Sequence, residues 1–254
     1  MAKIWQAGAL ATLLWASPGF AGTVFTDGSF TDWGITGYLS GPYESLNGGT
    51  SADTLATQGN PGAAYRIILG VPDGVGSIQW GIALAAAYSS SIVYNPSASG
   101  ALNSIDASLD FNCVSSVNCH GSGEDFGFAI RQGGLDFIDT ATNLNSGNVL
   151  PIDQWHTSSA SGLSASDFSL VNLQLSGYLT NNAVHPDFTA AGAPISIGFY
   201  AVNWAGGSPY GETTYYDNFS ATVNDQVGAP EPSSVILAMT GFAVLFIRCR
   251  KRLA

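Results

Sequence analysis

The sequence predicts an all-β fold, one antiparallel β-sandwich, and three observations carry that prediction. Between Gly22 and Val223 there is no amphipathic helical pattern of useful length. Short apolar or alternating segments recur instead, punctuated by Gly, Asn, Ser and Pro. About ten such segments fit a single two-sheet domain rather than a mixed α/β one.

The first element precedes the body. Residues 1–21 read as an export signal. Lys3 supplies the positive start, Ile4 to Trp15 the apolar stretch, and Gly19 and Ala21 the small residues before a cut at Gly22. The alternative is a buried N-terminal helix. Export implies that the mature chain folds where disulfides persist.

Within the body (residues 22–223) the expected strands are Thr23–Phe25, Ala64–Leu69, Ser77–Leu84, Ser91–Tyr94 and Ser104–Phe111. Phe126–Arg131, Leu135–Ile138, Phe168–Leu175, Ile195–Val202 and Thr213–Val223 follow. Ala83–Tyr88 has a helical turn as its alternative, because alanines dilute the strand signal. In Ser104–Phe111, Ile105, Ala107, Leu109 and Phe111 face one way and Asp106, Ser108 and Asp110 the other, a period of two with one dry face. Cys113 and Cys119 bracket a short loop between two of these strands. They are the body's two cysteines and are expected to form a disulfide. Such a loop closes for ~2–3 kcal/mol of stabilisation. His120 beside them suggests a metal, but structural zinc asks for four ligands and a shorter cysteine spacing.

Charge narrows the partners. Over residues 22–229 there are 17 acidic residues against Arg66 and Arg131, a formal net charge of −15. Such a body repels phosphate backbones and anionic surfaces, which excludes nucleic-acid binding.

After a linker at residues 224–229 comes the last element, residues 230–254. Pro230, Glu231 and Pro232 lack the backbone donors for helix or sheet and stay extended. A short membrane helix is expected over residues 233–247. Its uncharged run Val235–Ile247 covers about 20 Å against a hydrocarbon core of about 30 Å, so the helix inserts only with snorkelling and thinning. Arg248, Arg250, Lys251 and Arg252 in the basic tail (248–254) hold that end in the cytoplasm. Cys249 interrupts the cluster.

This order of elements, Pro-Glu-Pro then apolar helix then basic terminus, resembles the PEP-CTERM sorting signal. That resemblance covers about the last 27 residues of the chain. It implies recognition by the membrane protease-transpeptidase exosortase, in Gram-negative bacteria that make extracellular polysaccharide. It also implies passage across the inner membrane, at least transient tail anchoring, and a destination at the cell surface or in the matrix.

Two stretches of the body resemble carbohydrate-binding jelly-roll modules: DGSFTDW (Asp27–Trp33) and TYYDNFSATV (Thr214–Val223). The resemblance implies an antiparallel jelly roll. It also implies a structural calcium as the one expected cofactor, with Asp27 and Asp217 as its ligands; a strand-end turn made by Asp217 and Asn218 is the open alternative. Trp155, Trp204 and Tyr210, with Tyr215 and Tyr216, are the aromatic candidates for stacking on sugars, and a core role for Trp155 and Trp204 stands beside that reading. Tyr215 and Tyr216 point to opposite faces of a strand, so only one of them belongs to the core.

Catalysis finds little footing. Glu124/Asp125 and Asp136/Asp139 are adjacent acids in an acid-rich chain, and a strand puts Glu124 and Asp125 on opposite faces. His120, His156 and His185 lie in loop-like sequence with no GxSxG elbow to activate a serine. The expectation is a non-enzymatic exported protein that binds extracellular polysaccharide. The alternatives are a ligand-free structural matrix protein and a secreted polysaccharide hydrolase.

Overall fold

A computed structural model describes residues 22–40, 49–71, 80–114, 125–140, 151–172, 180–206 and 210–225. The signal segment, the tail from residue 226 onward, Cys119, His120 and Glu124 lie outside the described residues.

Thirteen strands are described in chain order. They are β1 (Thr23–Asp27), β2 (Trp33–Ser40), β3 (Gly49–Gly59), β4 (Gly62–Val71), β5 (Trp80–Tyr94), β6 (Leu102–Cys113) and β7 (Asp125–Gln132). The rest are β8 (Leu135–Asp139), β9 (His156–Leu163), β10 (Phe168–Val171), β11 (Thr180–Asn181), β12 (Ile195–Gly206) and β13 (Tyr210–Asp225). Every pairing is antiparallel. Sheet A runs β3-β4-β13-β6-β9, with β1 beside the far half of β13. Sheet B runs β11-β10-β8-β7-β12-β5-β2.

The core lies between the sheets and is rich in aromatic rings. Tyr216 of β13 sits 4.6 Å from Phe199 of β12, and Phe111 of β6 sits 4.3 Å from Phe126 of β7. Such pairs add to the burial that holds one sheet on the other. Ile105, Ala107, Leu109 and Phe111 are all buried while Asp106, Ser108 and Asp110 are half-exposed, as their alternation requires. Tyr216 is the core member of the Tyr215–Tyr216 pair.

Three expectations need correction. Ala83–Tyr88 is strand, because β5 is central in sheet B and its alanines pack closely from both faces. The expected strand at residues 91–94 and the described part, from Trp80, of the one expected at 77–84 belong to one strand, β5, which bulges between Tyr88 and Val93. DGSFTDW is chiefly the turn from β1 into β2, not a strand. Asp27 holds that turn, its Oδ1 accepting from Ser29 N (2.6 Å) and Phe30 N (3.0 Å) and its Oδ2 from the Trp33 indole (2.8 Å).

Candidate functional site

Sheet B has two buried faces. The inner one, with Ala83, Ala85, Ala87, Phe126, Phe128 and Phe199, belongs to the core. The outer one carries a second cluster: Ile82, Leu84, Ala86 and Tyr88 of β5, Ala129 of β7, Ile138 of β8, and Tyr200 and Val202 of β12, with Tyr38 packed against it. Side-chain bonds that skip strands show how this face is curved. The Tyr38 hydroxyl on β2 donates to Asp136 Oδ2 on β8, and Arg131 Nη1 on β7 donates to Thr36 Oγ1 on β2 at 2.7 Å. On a flat sheet β2 and β8 would stand about 19 Å apart, four spacings of ~4.8 Å. The sheet is therefore curled, and this face is its concave side.

Small residues permit the curl. Tyr200 lies over Gly127, where an added Cβ would stand 2.9 Å from its ring, and Tyr88 lies against Gly198, where a Cβ would stand 2.8 Å from Cδ1. The tyrosine rings thus lie down on the sheet instead of standing off it.

The β5 bulge opens one end of this concave face. Between Ser196 and Gly198 the register of β12 jumps from Val93 to Tyr88. Asp32 pins the extra residues, accepting from Ser89 Oγ (2.9 Å), Ser90 Oγ (3.0 Å) and Ser91 N (2.9 Å). Burial pushes the Asp32 carboxyl up, but these donors outweigh it and hold the group below its ordinary range. Beside the bulge is an open groove of about 380 Å³, lined by Asp32, Gly34, Thr36, Tyr88, Arg131 and Ser196 among others.

Next to that groove sits a buried carboxylate. Asp136 is 2% exposed and takes the Tyr38 hydroxyl on Oδ2, while its Oδ1 has no hydrogen bond and lies 3.8 Å from Arg131 Nε. The Tyr88 hydroxyl is also buried without a bond of ordinary geometry. Its pKa is pushed well up, first by burial and then by the charge and hydrogen bonding of Asp136; Tyr38 is pushed up by burial and then by its hydrogen bond to Asp136 and that group's charge. Arg131 is fixed by Thr36 on one side and Asp136 on the other, with its side chain 43% exposed.

No family model matches the chain, and no curated protein matches it by sequence. Solved carbohydrate-binding modules resemble the body distantly. A xylan-binding domain of family 22 is 13% identical, with 82% of this chain and 98% of that one covered and a TM-score of 0.38. A mannan-recognising module of family 27 is 10% identical, with 80% and 98% covered and a TM-score of 0.39. The C-terminal family 22 module of Clostridium thermocellum Xyn10B is 12% identical, with 79% and 92% covered and a TM-score of 0.36.

The aromatic candidates Trp155, Trp204 and Tyr210 are not among the residues described as lining this groove, whereas Asp32 and Trp33 of DGSFTDW are. Trp155 is half-buried just ahead of β9, an edge strand of sheet A. Trp204 pairs in register with Ile82 in sheet B, and Tyr210 with Val71 in sheet A; their side chains lie outside the described set. The other groove residues were passed over because Thr, Gly and Ser carry no motif. One signal was present in the sequence: Arg131 is one of only two cations in an acidic body.

Asp27 and Asp217 do come to the same end of sheet A. Asp27 pairs with Phe219, and a Cβ on Gly28 would stand 3.6 Å from Asp217 Oδ1. Their oxygens nonetheless face N–H and O–H donors. Asp27 is filled by its own turn, with Ser29 Oγ as a further donor at 2.8 Å. Asp217 Oδ1 accepts from Asn218 N at 2.6 Å, and its Oδ2 accepts from Asn60 N in the β3–β4 turn. Calcium needs six to eight oxygens turned toward it. The donor set does not fit a calcium ion held between these two carboxylates, and among the described residues no three His, Cys, Asp or Glu side chains form a metal cluster. Asn218, at φ +51°, makes a bulge inside β13 rather than a turn at its end. Cys113 is buried at the end of β6 and disulfide-bonded; its expected partner is outside the described residues.

Proposed function

We propose that this is an exported, non-enzymatic surface or matrix protein whose jelly-roll body binds extracellular polysaccharide on the concave face of sheet B. Its PEP-CTERM tail, with Pro230–Pro232 and the basic residues Arg248, Arg250, Lys251 and Arg252, delivers it to an exosortase at the inner membrane. One observation carries the binding reading: the open groove presents a fixed, part-exposed guanidinium, Arg131, among the hydroxyl groups of Thr36, Ser90 and Ser196. A sugar supplies hydroxyls for these groups.

Hydrolysis is the weaker reading on geometry. Asp136 faces the concave side with its register partner Arg131, whereas Asp139 pairs with the core residue Phe168, so the two carboxylates are on opposite faces of β8. They cannot flank one glycosidic bond.

Retention of the exported body on a panel of immobilised polysaccharides tests the binding reading. Wild-type protein is retained by at least one polymer, and Arg131→Ala is not. Retention unchanged in Arg131→Ala, or absent in wild type, overturns the assignment of the groove. Mass spectrometry of both termini tests the sorting reading, which expects a start at Gly22 and an end near Pro230–Pro232; a chain intact to Ala254 overturns it.

A further inference from the structure

We propose that the groove selects by charge, accepting an uncharged polysaccharide and refusing an anionic one, because Asp136 neutralises Arg131 from below. The inference rests on the groove being the binding site. Arg131 is the one cation lining the groove, and an exposed guanidinium ordinarily marks a site for carboxylate, sulfate or phosphate. Here its charge is already answered. Asp136, wholly buried, lies 3.8 Å from Nε, and Asp32 adds a second carboxylate to the groove's lining. The body's remaining cation, Arg66, is engaged by Asp53 on sheet A through Nε–Oδ1 at 2.7 Å and Nη2–Oδ2 at 2.6 Å. Around these pairs the body carries its net charge of −15. An anionic polymer meets a repulsive field with no uncompensated cation to offset it.

A neutral chain meets the opposite situation. Thr36 takes Nη1, so the guanidinium is held in place with its Nη2 unpartnered among the described residues. That group donates to a sugar hydroxyl. The negative charge of Asp136 thus does two things: it orients Arg131 and it cancels the feature that would attract an acid sugar.

The test is affinity electrophoresis of the wild-type body in gels containing a neutral β-glucan, xylan or mannan, and in gels containing alginate or polygalacturonate. Each is run at about 0.01 M and about 1 M salt, where charges act over about 30 Å and about 3 Å. Expected are retardation by a neutral polymer that is the same at both salts, and no retardation by either acidic polymer. Retardation by an acidic polymer at low salt that disappears at high salt overturns the inference and leaves the groove reading standing. No retardation by any polymer overturns both. Asp136→Asn unmasks Arg131 and is expected to raise the low-salt affinity for alginate by about tenfold or more. A folded Asp136→Asn protein that still ignores alginate also overturns the inference.

Discussion

The phenol of Tyr38 on β2 donates to the carboxylate of Asp136 on β8, across the three strands that separate them in sheet B. That bond ties the open edge of the sheet to its middle and closes the curl over Tyr88 and Tyr200. Tyr38→Phe keeps the ring and removes the donor, leaving a buried carboxylate short of a partner. The expected loss is about 1–3 kcal/mol, read as a fall of roughly 2–4 °C in Tm per kcal/mol for a domain of this size. A Tm equal to wild type would mean that the bond does not hold the curl.

The two carboxylates at the Asp27 end of sheet A titrate in opposite directions. Burial pushes Asp27 up, but the Ser29 N–H, the Trp33 indole and the Phe30 N–H together hold it below its ordinary 3.8. Its contribution to stability is present above 3.8 and is lost as pH falls through the lower folded value. Asp217 is raised above 3.8, first by burial and further by Asp110 opposite it in register, against the N–H groups of Asn60 and Asn218. Its contribution is present below 3.8 and is lost as pH rises through the raised value. Carbon-13 NMR titration of the carboxyl groups should place the Asp217 midpoint above 3.8 and the Asp27 midpoint below it. The reverse order would refute the hydrogen-bond assignment at both residues.

Because these carboxylates are met by donors, calcium removal should be inconsequential. Thermal melts of the body with EDTA and with millimolar calcium are expected to coincide. A calcium-dependent rise of several degrees would show that the Asp27 turn or the Asn60 turn opens to admit an ion.

Much of the architecture was legible in the sequence, and what was missed has a physical pattern. The alternation of Ile105, Ala107, Leu109 and Phe111 against Asp106, Ser108 and Asp110 states β6 outright, because one face is dry and the other wet. β3 (GTSADTLATQG) and β9 (HTSSASGL) are edge strands of sheet A whose Thr, Ser and Gly carry little apolar period, and neither was expected. Beyond the rarity of Arg131, the groove was not legible. It arises from a curl that joins Arg131 to Thr36 and Asp136 to Tyr38 across 95 and 98 residues of chain, relationships that no local spacing encodes. The β5 bulge that opens it falls between two expected strands, where alanines dilute the strand signal, and only the hold of Asp32 on Ser89, Ser90 and Ser91 joins them into one.

Gly198 is where that hidden geometry can be tested most sharply. It pairs with Tyr88 at the edge of the bulge, and a Cβ there would stand 1.9 Å from Ala87 O and 2.8 Å from Tyr88 Cδ1. Neither neighbour can yield: the first is backbone in a central strand, and the second is a ring packed in the concave face. Gly198→Ala must therefore displace β5 from β12, and about 2–4 kcal/mol of destabilisation is expected. Gly34, which pairs with Tyr88 from the other side, has nothing within 4 Å of its would-be Cβ. Gly34→Ala should leave the Tm within a degree or two of wild type while placing a methyl group in the groove beside Arg131 and weakening polysaccharide retention. If both variants melt alike, Tyr88 is not seated on Gly198, and the floor of the groove is misplaced.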